Sequence, residues 1–259
     1  MSDSEDIHPD YADKEAIEEA INAYLSSPNP SELLDPLYEL TSRNAWLFHE
    51  EVLMDHVRLR TTHSSQDQDK LVSMVVALEA RAATDDAKPG PEQRDSYYPL
   101  GWAIREMWTG PENHLNTAEQ WTSLNAFIAR LAQAGLGYDM YGIWGMREAL
   151  EGLLSKNPPE QWPGWIRGAA VWPLYAGERM CALSRNEIAQ SEDCLRTTDL
   201  SKGGENWKDS QGYTVGRWEF WKDELKRIAD GSELAYKLEE DDRELVRRAY
   251  QAMQDLDDK

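Results

Sequence analysis

Tyr141, Trp144 and Glu148 stand at i, i+3 and i+7, with Arg147 beside them. On a helix those positions share one face. A guanidinium and a carboxyl set among aromatic rings can clamp an anion and move a proton. Asn125 lies between Leu124 and Ile128, on a stripe that also holds Trp121 and is expected to be buried. Trp165, Ala169, Trp172 and Ala176 form a further stripe, and Trp218 and Trp221 stand three apart. The candidate catalytic residues are therefore Arg147, Glu148, Asn125 and Tyr141, and the candidate ligand-contacting rings are Trp144, Trp172, Trp218 and Trp121. A buried amide or charge needs partners. The same polar groups can satisfy one another, in which case they form a structural lock.

Other chemistries find no footing. The chain has no Gly-rich phosphate loop, no His-Glu-x-x-His and no paired Cys-x-x-Cys. Gly135-Leu136-Gly137 follows a helical pattern, so it is a helix stop and not a nucleotide loop. His49 and His56 stand seven apart with Glu50 and Asp55 adjacent. A metal would need a further ligand converging on that face, so they read as two partly exposed histidines among acidic neighbours. Cys181 reads as a buried thiol. No metal site and no cofactor are expected.

Net charge is −21 and no run of basic residues occurs. That excludes a phosphate-backbone footprint and an anionic membrane surface as partners. Acidic groups crowd both ends, as solvated surface. There are 11 Trp and 11 Tyr but only 3 Phe, so large rings with one polar handle dominate the aromatic set. Two cysteines give no disulfide framework. The opening residues carry no leader pattern and no segment is apolar enough to span a bilayer. A cytoplasmic protein is the expectation.

These residues must be held by helices. Residues 1–12 read as a disordered acidic segment, and 13–259 as a single helical domain with a loop or linker at 84–96. Asp13, Thr117 and Thr214 are expected caps, and Ser65 with Gln68 an expected capping box. Helical periods follow over 13–25, 31–59, 66–82, 99–109, 117–134, 141–154, 165–183, 214–228 and 234–256, with Pro173 kinking the seventh. No segment alternates as a strand. The fold class is all-α, a multi-helix bundle or irregular solenoid-like stack of about eight to ten helices.

The segment from Trp121 through Leu124, Asn125, Ala126, Phe127 and Ala129 to Leu131 resembles a block of a fungal all-helical family of unknown function. So do Tyr141-Gly-Ile143-Trp144-Gly-Met-Arg147-Glu148-Ala149-Leu150-Glu151 and Arg217-Trp218-Glu-Phe220-Trp221-Lys222. The likeness covers about residues 40–230. It implies a helical fold and a fungal source and carries no catalytic residue with it. Glu205-Asn206 before Trp207 depart from that family's loop.

Two functional readings stand side by side. The first is a protein that binds an apolar or aromatic small molecule in a Trp-lined pocket, as in a cofactor-independent cyclase or isomerase of secondary metabolism. The second is a non-catalytic acidic helical protein-interaction module. Oligomeric state is not written in the sequence.

Overall fold

The computed structural model describes residues 9–84, 99–152, 154–186, 200–231 and 238–258. All regular structure among them is helical, with no strand, as the periodicity predicts. The start of the acidic segment, all but the first residue of the 84–96 loop or linker, and Cys194 lie outside the described residues. The chain divides into two compact units, Met1–Trp108 and Thr109–Lys259.

In the first unit α1 runs Pro9–Ser26, α2 Leu34–Arg43, α3 Gln66–Thr84 and α4 Pro99–Met107. Helix α1 begins before Asp13. Pro9 suits a first turn because its missing N–H is not needed there, and Asp13 instead accepts a hydrogen bond from Asn44 Nδ2 at 3.2 Å. Between α2 and α3 the chain forms two π-helical segments, Leu47–Leu53 and His56–Arg60. Wide turns of this kind are rare and recur at functional sites. Ile17, Ile21, Leu37, Phe48, Leu53, Val57, Leu71 and Ile104 are buried and make this unit's core.

The capping box expected at Ser65 forms only in part. Ser65 Oγ accepts from the Asp67 amide at 3.1 Å, while the fully buried Gln68 turns inward and donates to Thr61 Oγ1 at 3.1 Å. Burial outcompetes the local return bond to the cap. One histidine differs from expectation: His56 is buried, whereas His49 is partly exposed, as expected. Among the described residues no group of acidic, histidine and cysteine side chains could hold a metal ion.

In the second unit α5 runs Ala118–Gln133, α6 Asp139–Leu150, α7 Trp162–Ser184, α8 Val215–Ala229 and α9 Glu240–Asp257. Thr117 caps α5 in a complete capping box with Gln120, and Thr214 caps α8 through the Arg217 amide at 3.2 Å. Helix α7 is the hub, packing on α5, α6, α8 and α9. It contains Pro173, and its backbone leaves the helical region at Ala176.

Glycines let the Trp rings into these seams. A Cβ on Gly142 of α6 would stand 2.9 Å from Trp172 Cε3 and closer still to the Tyr213 hydroxyl, and one on Gly145 would stand 3.3 Å from Trp172 Nε1. A Cβ on Gly168 of α7 would meet Trp121 Nε1 at 2.5 Å. Trp172 of α7 therefore seats in a notch on α6, and Trp121 of α5 in a notch on α7. Dense packing of this kind fixes the helix positions to within a fraction of an ångström.

Candidate functional site

The eight predicted residues fall into three groups within the second unit. The first is fully buried. Asn125 donates from Nδ2 to the Trp121 carbonyl at 3.0 Å and accepts from Trp172 Nε1 at 3.2 Å. Trp121 and Trp172 are 1% and 0% exposed, which leaves no water-sized space against either ring. Trp121 also meets Trp165 edge to face, centroids 5.1 Å apart. An amide that both gives and receives here joins α5 to α7 and meets the Trp172 ring nitrogen.

Trp218 belongs to a second group. Its ring is buried and its Nε1 donates to Asp257 Oδ1 at 2.9 Å, which ties α8 to the end of α9. Lys222 reaches the other oxygen of the same carboxylate.

The third group is partly exposed. Tyr141, Trp144, Arg147 and Glu148 share one side of α6, whose other face, Gly142, Ile143, Gly145, Met146 and Ala149, is buried. Tyr141 and Trp144 meet edge to face at 5.0 Å. Trp144 Nε1 donates to the Leu200 carbonyl at 2.8 Å, and Arg147 Nη1 donates to the Leu200 and Lys202 carbonyls at 3.2 and 3.3 Å. Arg147 Nη2 stands 3.6 Å from Glu148 Oε1. Arg147 Nε is buried with no hydrogen-bond partner among the described residues. Burial pushes the Glu148 carboxyl above its ordinary value, and the Arg147 charge pulls the other way. The result is a ring pair, a cation and a carboxyl that protonates more readily than a free one, all on one rigid helix.

A further constellation joins the end of α6 to α8. Glu151 and Arg217 are both 0% exposed. Arg217 Nε and Nη2 donate to Glu151 Oε1 and Oε2 at 2.7 and 3.0 Å. Trp221 Nε1 and the Gly204 amide donate to the same carboxylate, each at 2.7 Å. Arg217 Nη1 spends its donors on the Ser201 and Gly212 carbonyls, both at 3.0 Å. Every oxygen and nitrogen of the pair is thus used, the condition under which a buried ion pair is tolerated. Its effect is to pin residues 201–212 against α6 and α8, and so to set the Leu200 and Lys202 carbonyls that Trp144 and Arg147 use. The signal was in the sequence: Glu151 closes the Tyr141 block, and Arg217 and Trp221 belong to the Arg-Trp block.

A second bidentate pair, Arg179 with the buried Asp139, holds the start of α6 to α7, and Tyr213 Oη donates to the Asp139 carbonyl at 2.8 Å. Sequence blocks far apart in the chain thus converge on α6. A family of proteins of unknown function, DUF3632, matches residues 52–225, which takes in all of these contacts except those to Asp257.

The chain belongs to the DUF3632 family.

No curated protein and no solved structure matches the chain. The DUF3632 match includes the α6 face, both bidentate ion pairs and the glycine notches, and it ends at Leu225, inside α8. No described helix is long and apolar enough to cross a membrane.

Proposed function

We propose that the second unit binds a small aromatic or apolar molecule on the exposed side of α6, against Tyr141 and Trp144, with Arg147 and Glu148 as its polar contacts. One observation carries this reading: of the predicted residues, these four alone are both clustered and reachable. Trp172 then backs α6 directly, while Asn125, Trp121 and Trp218 lock the helices around it. A rigid helix backed by locked side chains is what a binding face requires. In a catalytic form of the same reading, Glu148 moves a proton and Arg147 faces developing negative charge, the two roles a cofactor-independent isomerisation or cyclisation needs.

The test uses 2-naphthol and 2-naphthoate with the full chain, read by calorimetric titration. Both should bind, and Trp144→Ala should weaken both by about tenfold, the loss of roughly one ring contact. Arg147→Ala should weaken the carboxylate more than the alcohol. Failure of either compound to bind, or unchanged binding by the Trp144 variant, sinks the proposal.

The interaction-module reading draws support from a different observation. Trp46, Leu59 and Trp102 of the first unit are 54%, 58% and 57% exposed, and a partner protein would cover them. Under that reading the Trp144 variant is silent and substitution of Trp46 or Trp102 is not.

A further inference from the structure

The first unit contains a half-open cleft, with about 60 Å³ of interior space, between α2, the π-helical turn and α3. Tyr38, Phe48 and His49 bring rings to it, Val75 and Leu78 give it an aliphatic floor, and Glu79 brings a carboxyl. We propose that this cleft binds a small organic ammonium, whose charged head pairs with Glu79 and lies among the rings of Tyr38 and Phe48, with its tail in the open mouth.

Glu79 is partly buried and has no cationic partner among the described residues. Arg81, two residues along α3, and His49 on the cleft wall are engaged or uncharged. Arg81 lies over the Tyr38 ring at 5.5 Å from its centroid and pairs with Asp35 at 3.4 Å. His49 is held neutral, because burial drives its imidazole down to about 3. Burial alone pushes the Glu79 carboxyl upward, as it must where no positive charge offsets desolvation. A carboxyl in an apolar cleft with no partner is stabilised by any ligand that brings one.

The walls and the whole molecule point the same way. Aromatic faces attract ammonium groups. The chain's net charge of −21 draws small cations to its surface and repels anions. The volume sets the size. The enclosed part is small, about 60 Å³, which suits a compact ammonium head with the rest of the ligand in the open mouth.

The experiment compares n-butylammonium, 1-butanol and butyrate by NMR titration of the full chain with carboxyl labelling of glutamate. Butylammonium should saturate the site, shift the Glu79 and His49 signals together and lower the Glu79 titration midpoint. Butanol should bind at least about tenfold more weakly and butyrate not at all. Glu79→Gln should remove the preference for the ammonium while leaving the spectrum folded, since it deletes a carboxyl that burial already disfavours. Equal binding of butanol and butylammonium by the unaltered protein overturns the proposal without recourse to a variant. So does an unchanged preference in Glu79→Gln.

Discussion

A carboxylate with no exposure survives only if its charge is met at short range. Glu151 is met four times: by two donors of Arg217, by Trp221 Nε1 and by the Gly204 amide. Glu151→Gln keeps the shape but strands the Arg217 charge in a dry interior, and breaking one side of such a pair costs about 3–5 kcal/mol. Urea unfolding should report a loss of that size. Pairing Glu151→Leu with Arg217→Met removes both charges, yet it should recover only part of the loss. Trp221 and Gly204 would keep buried donors with no acceptor, at about 1–3 kcal/mol each. Full recovery in the double variant would mean that the ion pair acts alone and that the two neutral donors are incidental. Both sequence blocks were visible, but that Glu151 pairs with Arg217 could not be read from spacing. The two partners are 66 residues apart, and a sequence gives no distance between helices that meet only in the folded chain.

At the scale of the element, more was legible. Helix existence follows from apolar period, and the Thr117 and Thr214 caps form as expected because a cap is decided within a few residues. The π-helical turns at 47–53 and 56–60 were not legible, since their sequence has an ordinary helical period and the extra width is imposed by packing. The glycines of α6 were visible, but their purpose was not until Trp172 was placed over them. That placement yields an ordered prediction. Gly142→Ala puts a methyl group against both Trp172 and the Tyr213 hydroxyl, so it should destabilise by about 1–3 kcal/mol, as overpacking does. Gly145→Ala meets Trp172 at 3.3 Å, a contact that a small shift relieves. Its gain in helix propensity of about 1 kcal/mol should leave it near neutral. Thermal melting of the two variants side by side checks the order, and a Gly145 variant worse than the Gly142 variant would mean that the ring seats elsewhere along α6.

For the whole molecule, the two units should differ in their response to acid. His49 in the first unit takes up a proton in the folded state only near pH 3, whereas the unfolded chain does so near its ordinary value of 6.5. The native value is lowered, so the unfolded state binds more protons between those limits, and stability present above about 6.5 is lost as pH falls. Burial also lowers His56, with Arg60 adding to the effect and Asp67 and Glu18 opposing it. Glu79 and Glu50 act against this, because burial raises both, and a raised carboxyl makes the folded state gain as it protonates. In the second unit burial raises Glu148 and Asp242, while the α5 carboxyl Glu119 is lowered by a backbone hydrogen bond and by Arg167. Each buried histidine can remove at most about 1.4 kcal/mol per pH unit below 6.5, so His49 alone threatens about 2–3 kcal/mol by pH 4.5, less what the carboxyls return. Hydrogen exchange followed from pH 7 to pH 4.5 should therefore show protection falling first in Met1–Trp108, with α5 to α9 holding. His49→Phe keeps a ring in the cleft and removes the titration, so it should flatten the acid slope of the first unit and leave the second unchanged. If that slope persists in the variant, His56 or the carboxyls of α1 and α3 govern the acid response.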